Sequence, residues 1–344
     1  MADLRSTAKA LVAEGKGILA ADESFPTIEK RFKSIQIENS EENRRGYRDM
    51  LFTTPGLGDY ISGVILFDET IRQSASDGTP FADLLDKQGS IPGIKVDKGA
   101  KDLAFFSGEK VTEGLDGLRE RCKEYVVLGA RFTKWRAVIT IGEGGGGSGR
   151  IPSDFCIHAN AHALARYAAL SQEAGMVPIV EPEVLMDGGH SIDDCLEATR
   201  RTLTELFDQL GRHNVEIPGT LLKTNMVVSG KENAQQADLQ EVASKTIDVL
   251  KQTVPDDLPG VVFLSGGMSD EDATARLNEM NKIGGFPWEL SFSYGRALQA
   301  PSLDAWKGEA SNVEAGQKAL FHRAKMNGLA RSGSYKPEME NEAA

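Results

Sequence analysis

Cysteine is scarce in this chain: Cys122, Cys156 and Cys195 are the only three in 344 residues. The number is odd, the spacing is wide and no C-x-x-C occurs. That argues against a disulfide framework and for a reduced, cytosolic protein. Long apolar runs are missing too. No segment approaches the ~20 apolar residues of a membrane span. The start, Met1-Ala2-Asp3-Leu4-Arg5, carries no signal-type apolar core. A cytoplasmic location and no membrane partner are expected. Positive charge is in deficit, with a formal net charge of −12. That argues against nucleic acid as the main partner, because phosphate-backbone binding needs a basic surface. A small phosphorylated ligand, needing only a few local cations, is still allowed. Histidine makes no obvious metal site. His158 and His162 have the outer spacing of H-E-x-x-H but lack its glutamate. They read as two partly buried histidines on one helix face, and no metal is expected.

What is present is alternation. Residues 4–14 read as a helix with Leu4, Ala8, Leu11 and Val12 on one face. Eight short apolar runs follow, at 17–21, 61–67, 91–96, 130–139, 176–184, 220–228, 261–264 and 290–292. Most are rich in β-branched residues and bounded by Gly, Pro or Asp, as strands are. Helix-like segments separate them at 40–52, 80–87, 113–128, 155–174, 191–212, 233–252 and 269–282, and another at 312–330 closes the chain. Strands alternating with helices imply parallel βαβ units. Eight of them predict an α/β fold, a single (β/α)8 TIM barrel over residues 1–331, followed by a frayed polar tail at 332–344. An open, doubly wound sheet is the structural alternative.

The run 220–228 has a lysine, Lys223, in its middle. Lysine is rarely fully buried, and burial disfavours its ammonium form. A depression of three pKa units would be about 4 kcal/mol in favour of the neutral amine, which can attack a carbonyl to give an imine. A bland reading, with the ammonium reaching water, competes. The other strand ends decide between them. They carry Asp22, Glu23 and Ser24; Lys95 and Asp97; Lys134 and Arg136; Glu181 and Glu183; Lys223 and Asn225. Side chains at i and i+2 of a strand share a face, and barrel active sites sit at the C-terminal strand ends. The pairs therefore converge, with Lys134 as a like charge beside Lys223 and the glutamates placed to move protons. After the seventh and eighth runs come Ser265-Gly266-Gly267 and Ser293-Tyr294-Gly295-Arg296. Backbone donors at a helix start, with Arg296 beside them, suit a phosphate. The glycine-rich stretch 142–150 is read as a mobile loop over the strand ends and not a dinucleotide site, because no strand-borne acid follows at the right distance.

Nine stretches carry a resemblance: 17–24 (GILAADES), 41–45 (EENRR), 94–99 (IKVDKG), 114–118 (GLDGL), 134–136 (KWR), 180–183 (VEPE), 221–223 (LLK), 263–267 (FLSGG) and 293–298 (SYGRAL). In this order the chain closely resembles class I fructose-bisphosphate aldolase, the metal-independent Schiff-base type, over residues 5 to 335. The resemblance implies a (β/α)8 barrel, usually a homotetramer, with no cofactor. It implies that Lys223 forms the imine and Glu181 transfers protons, with Glu183, Asp22 and Lys134 as catalytic neighbours. It implies that Lys95, Arg136, Arg31, Ser24, Ser265, Gly266, Gly295 and Arg296 line the sugar and its two phosphates. The implied reaction is reversible cleavage of D-fructose 1,6-bisphosphate to dihydroxyacetone phosphate and D-glyceraldehyde 3-phosphate. Rival readings are a class I aldolase preferring fructose 1-phosphate or sedoheptulose 1,7-bisphosphate, and a non-catalytic scaffold barrel. Three departures stand out. Phe25-Pro26-Thr27 replaces the family's Thr-Gly-Ser, the glycines at 144–149 look inserted, and the chain lacks the terminal tyrosine of the animal enzymes.

Overall fold

A computed structural model describes residues 3–144 and 150–341. Eight parallel strands form a closed barrel: β1 (Gly17–Ala21), β2 (Ile61–Leu66), β3 (Ile91–Lys95), β4 (Phe132–Ile139), β5 (Val177–Val184), β6 (Leu221–Thr224), β7 (Gly260–Phe263) and β8 (Glu289–Tyr294). Each strand pairs with its neighbours in sequence, and β1 pairs with both β2 and β8. That closure excludes the open, doubly wound alternative. All eight expected runs become strands. The sixth stops four residues early, at Thr224, and the others end within two residues of the expected bound.

The helices between strands start where the sequence offers a cap. The side chains of Ser153, Ser191, Asp238 and Ser269 each accept from the backbone N–H three residues on, and such a cap contributes about 1 kcal/mol. The helices pack their apolar faces on the outside of the barrel. Inside it, Ile18, Ile65, Ile91, Phe132, Val177, Ile179, Leu221 and Val262 form a buried cluster with Ala8 and Leu11 of the N-terminal helix Leu4–Leu11, which closes the lower end. Phe132 fits there because β3 has a glycine opposite it: a Cβ on Gly93 would overlap the ring.

Some segments differ from expectation. Phe25–Ser34 and Arg296–Trp306 are helices that the pattern did not reveal. Residues 100–112, to which no element was assigned, form a small hairpin of Ala100–Asp102 with Lys110–Thr112. At the ends of the stretch 142–150, expected to be a mobile loop, Gly142–Glu143 pair with Arg150–Ile151; its residues 145–149 lie outside the described residues. The segment after Arg331, expected to fray, is docked as far as Glu340. Tyr335 is buried, and its hydroxyl donates to Glu340 at 2.9 Å. Glu340 also accepts from His322 at 3.0 Å and from Arg323 at 2.5 Å. His158 and His162 lie on the helix Asp154–Glu173, and both are exposed rather than partly buried.

Candidate active site

Strand register brings the charged residues together. Across β4 and β5, Arg136 pairs with Glu181; across β5 and β6, Leu221 pairs with Ile179, which sets Lys223 level with Glu181. Lys95 of β3 is level with Lys134 of β4. All point into one open cavity of about 1080 Å³ at the C-terminal ends of the strands. The residues expected to carry the catalysis and to bind the substrate all line it: Asp22, Ser24, Arg31, Lys95, Lys134, Arg136, Glu181, Glu183, Lys223, Ser265, Gly266, Gly295 and Arg296.

Lys223 is buried, only 4% exposed, and its Nζ lies 3.0 Å from Glu181 Oε1. The other glutamate oxygen, Oε2, lies 3.3 Å from Lys134 Nζ, which is also 2.6 Å from Asp22 Oδ2. The four groups form an alternating row: Lys223, Glu181, Lys134, Asp22. This replaces the expectation that Lys134 acts on Lys223 as a bare like charge, since a carboxylate stands between them. Burial alone would raise the Asp22 carboxyl, but Lys134 and Lys223 outweigh it and bring it down to about 2. The same contest lowers Glu181: burial pushes it up, while Lys223, Lys134 and Arg136 pull it down. Burial would lower the Lys134 ammonium, yet Asp22, Glu181 and Asp97 raise it above its ordinary value. All three are held ionised at neutral pH.

Around this row the cations are pinned. Glu183 pairs with Arg136; partial desolvation would lower that guanidinium, and Glu183, Glu181 and Asp97 outweigh it. Asp97, paired with Lys95 at the strand end in the sequence but given no role there, is a positioning group. It accepts from Lys95 Nζ at 2.6 Å, Gly99 N at 3.1 Å and Arg136 N at 3.2 Å, and so ties the end of β3 to β4. Its signal was the i,i+2 spacing from Lys95. Glu23 holds Arg31 and Arg48 together. Burial would raise its carboxyl, and the two guanidiniums lower it. Asn225 does not join its partner Lys223. The strand has ended, the alternation with it, and Asn225 bonds instead to Val184 N and Thr199 outside the barrel.

The far side of the cavity is built on the turns after β7 and β8. Gly266, in the left-handed region at φ 51°, turns the chain after β7, and Arg296 donates to Met268 O and toward Gly266 O. Arg31 Nη2 lies 3.4 Å from where a Cβ of Gly295 would stand. Ser293 Oγ is buried without a partner among the described residues and lines the same cavity. The unusual Phe25-Pro26-Thr27 opens the helix Phe25–Ser34. Ser24 and Thr27 keep two hydroxyls, 3.2 Å apart, at its start. The Phe25 ring turns away from them, edge-on to Phe67 and under Arg44.

A closed (β/α)8 barrel with a buried lysine–carboxylate row at its open end, and an arginine-flanked glycine turn beside it, is an enzyme architecture suited to a small anionic substrate. Comparison with known proteins gives the family. The family model "Fructose-bisphosphate aldolase class-I" matches residues 3–344. A probable fructose-bisphosphate aldolase class 1 of Xanthomonas axonopodis pv. citri is 60% identical over 97% of this chain and 98% of that protein. Fructose-bisphosphate aldolase 1 of Toxoplasma gondii is 54% identical over 97% of this chain and 91% of that one. In structure, fructose-bisphosphate aldolase from Plasmodium falciparum, solved in complex with TRAP and a small-molecule inhibitor, superposes with a TM-score of 0.94 at 51% identity. The match covers 97% of this chain and 95% of that one. The chain belongs to the class I fructose-bisphosphate aldolase family.

Proposed function

We propose that this enzyme reversibly cleaves D-fructose 1,6-bisphosphate to dihydroxyacetone phosphate and D-glyceraldehyde 3-phosphate through a Schiff base at Lys223. The observation that carries the reading is the 3.0 Å contact between buried Lys223 and Glu181, in a cavity with cationic groups on both sides. Glu181 takes a proton from Lys223, and the amine attacks the C2 carbonyl. Returned to the hydroxyl of the adduct, the proton leaves with water and an iminium forms. A base removes the C4 hydroxyl proton, the C3–C4 bond breaks, and its electron pair moves into the iminium to give an enamine. The aldehyde product leaves. Protonation at C3 and addition of water then release dihydroxyacetone phosphate and free Lys223. No cofactor enters.

In this reading Lys134, Asp22 and Glu183 keep the row ionised and oriented. Arg31, Ser24, Ser265, Gly266, Gly295 and Arg296 surround one phosphate, and Lys95 and Arg136 face the other end of the sugar. The orphaned Ser293 hydroxyl is left for a substrate oxygen. The catalytic unit is the single barrel domain of residues 1–331. The family resemblance further supports a homotetramer in the cytoplasm; two Arabidopsis relatives are named cytosolic, and among the described residues no helix is long and apolar enough to cross a membrane. Borohydride reduction in the presence of dihydroxyacetone phosphate tests the chemistry. It is expected to fix the ketone on Lys223 and abolish turnover. Mass spectrometry finding no adduct there would sink the mechanism. Turnover of fructose 1-phosphate and sedoheptulose 1,7-bisphosphate alongside ranks the rival substrates.

A further inference from the structure

The loops after β5, β6 and β7 meet at one side chain that the sequence analysis passed over. Lys231 lies in the loop after β6. Its backbone N–H donates to Met186 O at 2.8 Å, and the flanking Gly230 and Glu232 donate to His190 O at 2.9 Å and Gly188 O at 3.0 Å. The loop after β6 is thereby held on the loop after β5. From that fixed backbone the Lys231 side chain crosses Gly267: a Cβ built there would overlap its Cε and Nζ. The Gly267 N–H donates in turn to Met186 Sδ at 3.0 Å. The absence of a side chain at Gly267 leaves the space that the lysine tip occupies, and a larger residue there would displace that tip. The ammonium ends 3.0 Å from Asp187 Oδ1 and lines the cavity beside Ser265 and Gly266.

We infer that Lys231 is a further phosphate-binding residue, an ammonium parked on Asp187 beside the Ser265–Gly267 turn and passed to the substrate phosphate that docks there. The inference rests on the functional reading above and adds a residue to it. The exchange is favoured by charge and exposure. The Lys231 and Asp187 side chains are 42% and 65% exposed, and a pair so wetted holds weakly. A phosphate offers up to two negative charges and three acceptor oxygens against the single charge of a carboxylate. Arg296 already gives its Nη2 to carbonyls of the same turn, and a second, movable cation adds charge beside it. The flexible four-carbon stem lets the ammonium swing without moving the loop.

The test uses the intact enzyme and reads the ketone concentration giving half-maximal borohydride trapping, for dihydroxyacetone phosphate and for unphosphorylated dihydroxyacetone. Lys231→Met keeps the stem over Gly267 and removes the charge. It is expected to raise the value for dihydroxyacetone phosphate about tenfold, as for loss of one charged hydrogen bond, and so to cut the preference for the phosphorylated ketone by the same factor. Asp187→Asn, which frees the ammonium, is expected to lower the value about twofold. An unchanged value for dihydroxyacetone phosphate in Lys231→Met overturns the inference. So does an equal shift for both ketones, which would mark a structural role, or a weakening in Asp187→Asn. If the wild type traps neither ketone at Lys223, the functional reading itself falls and takes the inference with it. If the wild type traps both and Lys231→Met matches it, only the inference falls.

Discussion

The strands of this barrel change character halfway along their inward faces. On β4, Phe132 gives way to Lys134 and Arg136; on β5, Val177 and Ile179 give way to Glu181 and Glu183; on β6, Leu221 gives way to Lys223. The lower half is filled by volume, with a ring seated over Gly93 and a helix closing the end. The upper half is filled by charge, and each buried ion stands against an opposite one. The two halves follow different rules. Apolar packing gains from every methylene and loses when a cavity is left. A buried ionic row gains little net stability, because desolvation offsets its attraction. Fold and chemistry are therefore separated along each strand by about two residues, and substitutions on either side should separate in their effects.

The sharpest contrast is at Lys223. Lys223→Met is expected to reduce kcat by at least about 10⁴-fold while the protein still unfolds cooperatively, as a paired comparison of steady-state rates and thermal melts will show. Residual turnover above that level would remove the covalent role. At the other end, Phe132→Ala should cost about 3–5 kcal/mol of stability, read by denaturant titration, with KM of the folded fraction near wild type. If KM changed as much as stability, the two halves would not be independent.

A smaller effect links charge to folding. Asp22 is held near 2 against an ordinary carboxylate value of about 4. Its folded-state value is depressed, so the stability it contributes is present above about pH 4 and is lost as pH falls toward 2. It amounts to roughly 2 kcal/mol. Between pH 5 and pH 2 the wild type should lose about that much more stability than Asp22→Asn; parallel curves would show that Asp22 is not coupled to folding.

Much of this was legible because the barrel writes itself in short apolar, β-branched runs bounded by Gly, Pro or Asp and separated by helix-like segments. All eight strands were found that way, and the i,i+2 charge pairs located the site. What was not legible has physical reasons. Asn225 was placed with Lys223 by alternation, but alternation holds only while the strand continues, and it stops at Thr224. The helix carrying Arg31 begins with Phe25-Pro26, and the one opened by Arg296 contains Pro301, so neither shows a clean helical period; Arg31 entered through the family resemblance alone. Lys231 sits in a loop with no period at all, and its relation to Gly267 exists only once three loops are folded together. The docking of the last residues depends on Glu340 meeting Arg323, a contact between two segments without any local signal.

The alternating row has one more consequence. Lys223, Glu181, Lys134 and Asp22 carry two positive and two negative charges and so sum to zero. In the proposed chemistry, where an ammonium at Lys223 becomes an iminium, the single positive charge stays on the same nitrogen. The surrounding dipoles and ions therefore face the same field before and after the ketone is captured. Covalent attachment then requires almost no electrical relaxation of the pocket. In that reading the only unbalanced charge that binding brings in belongs to the phosphates, at the edges of the cavity.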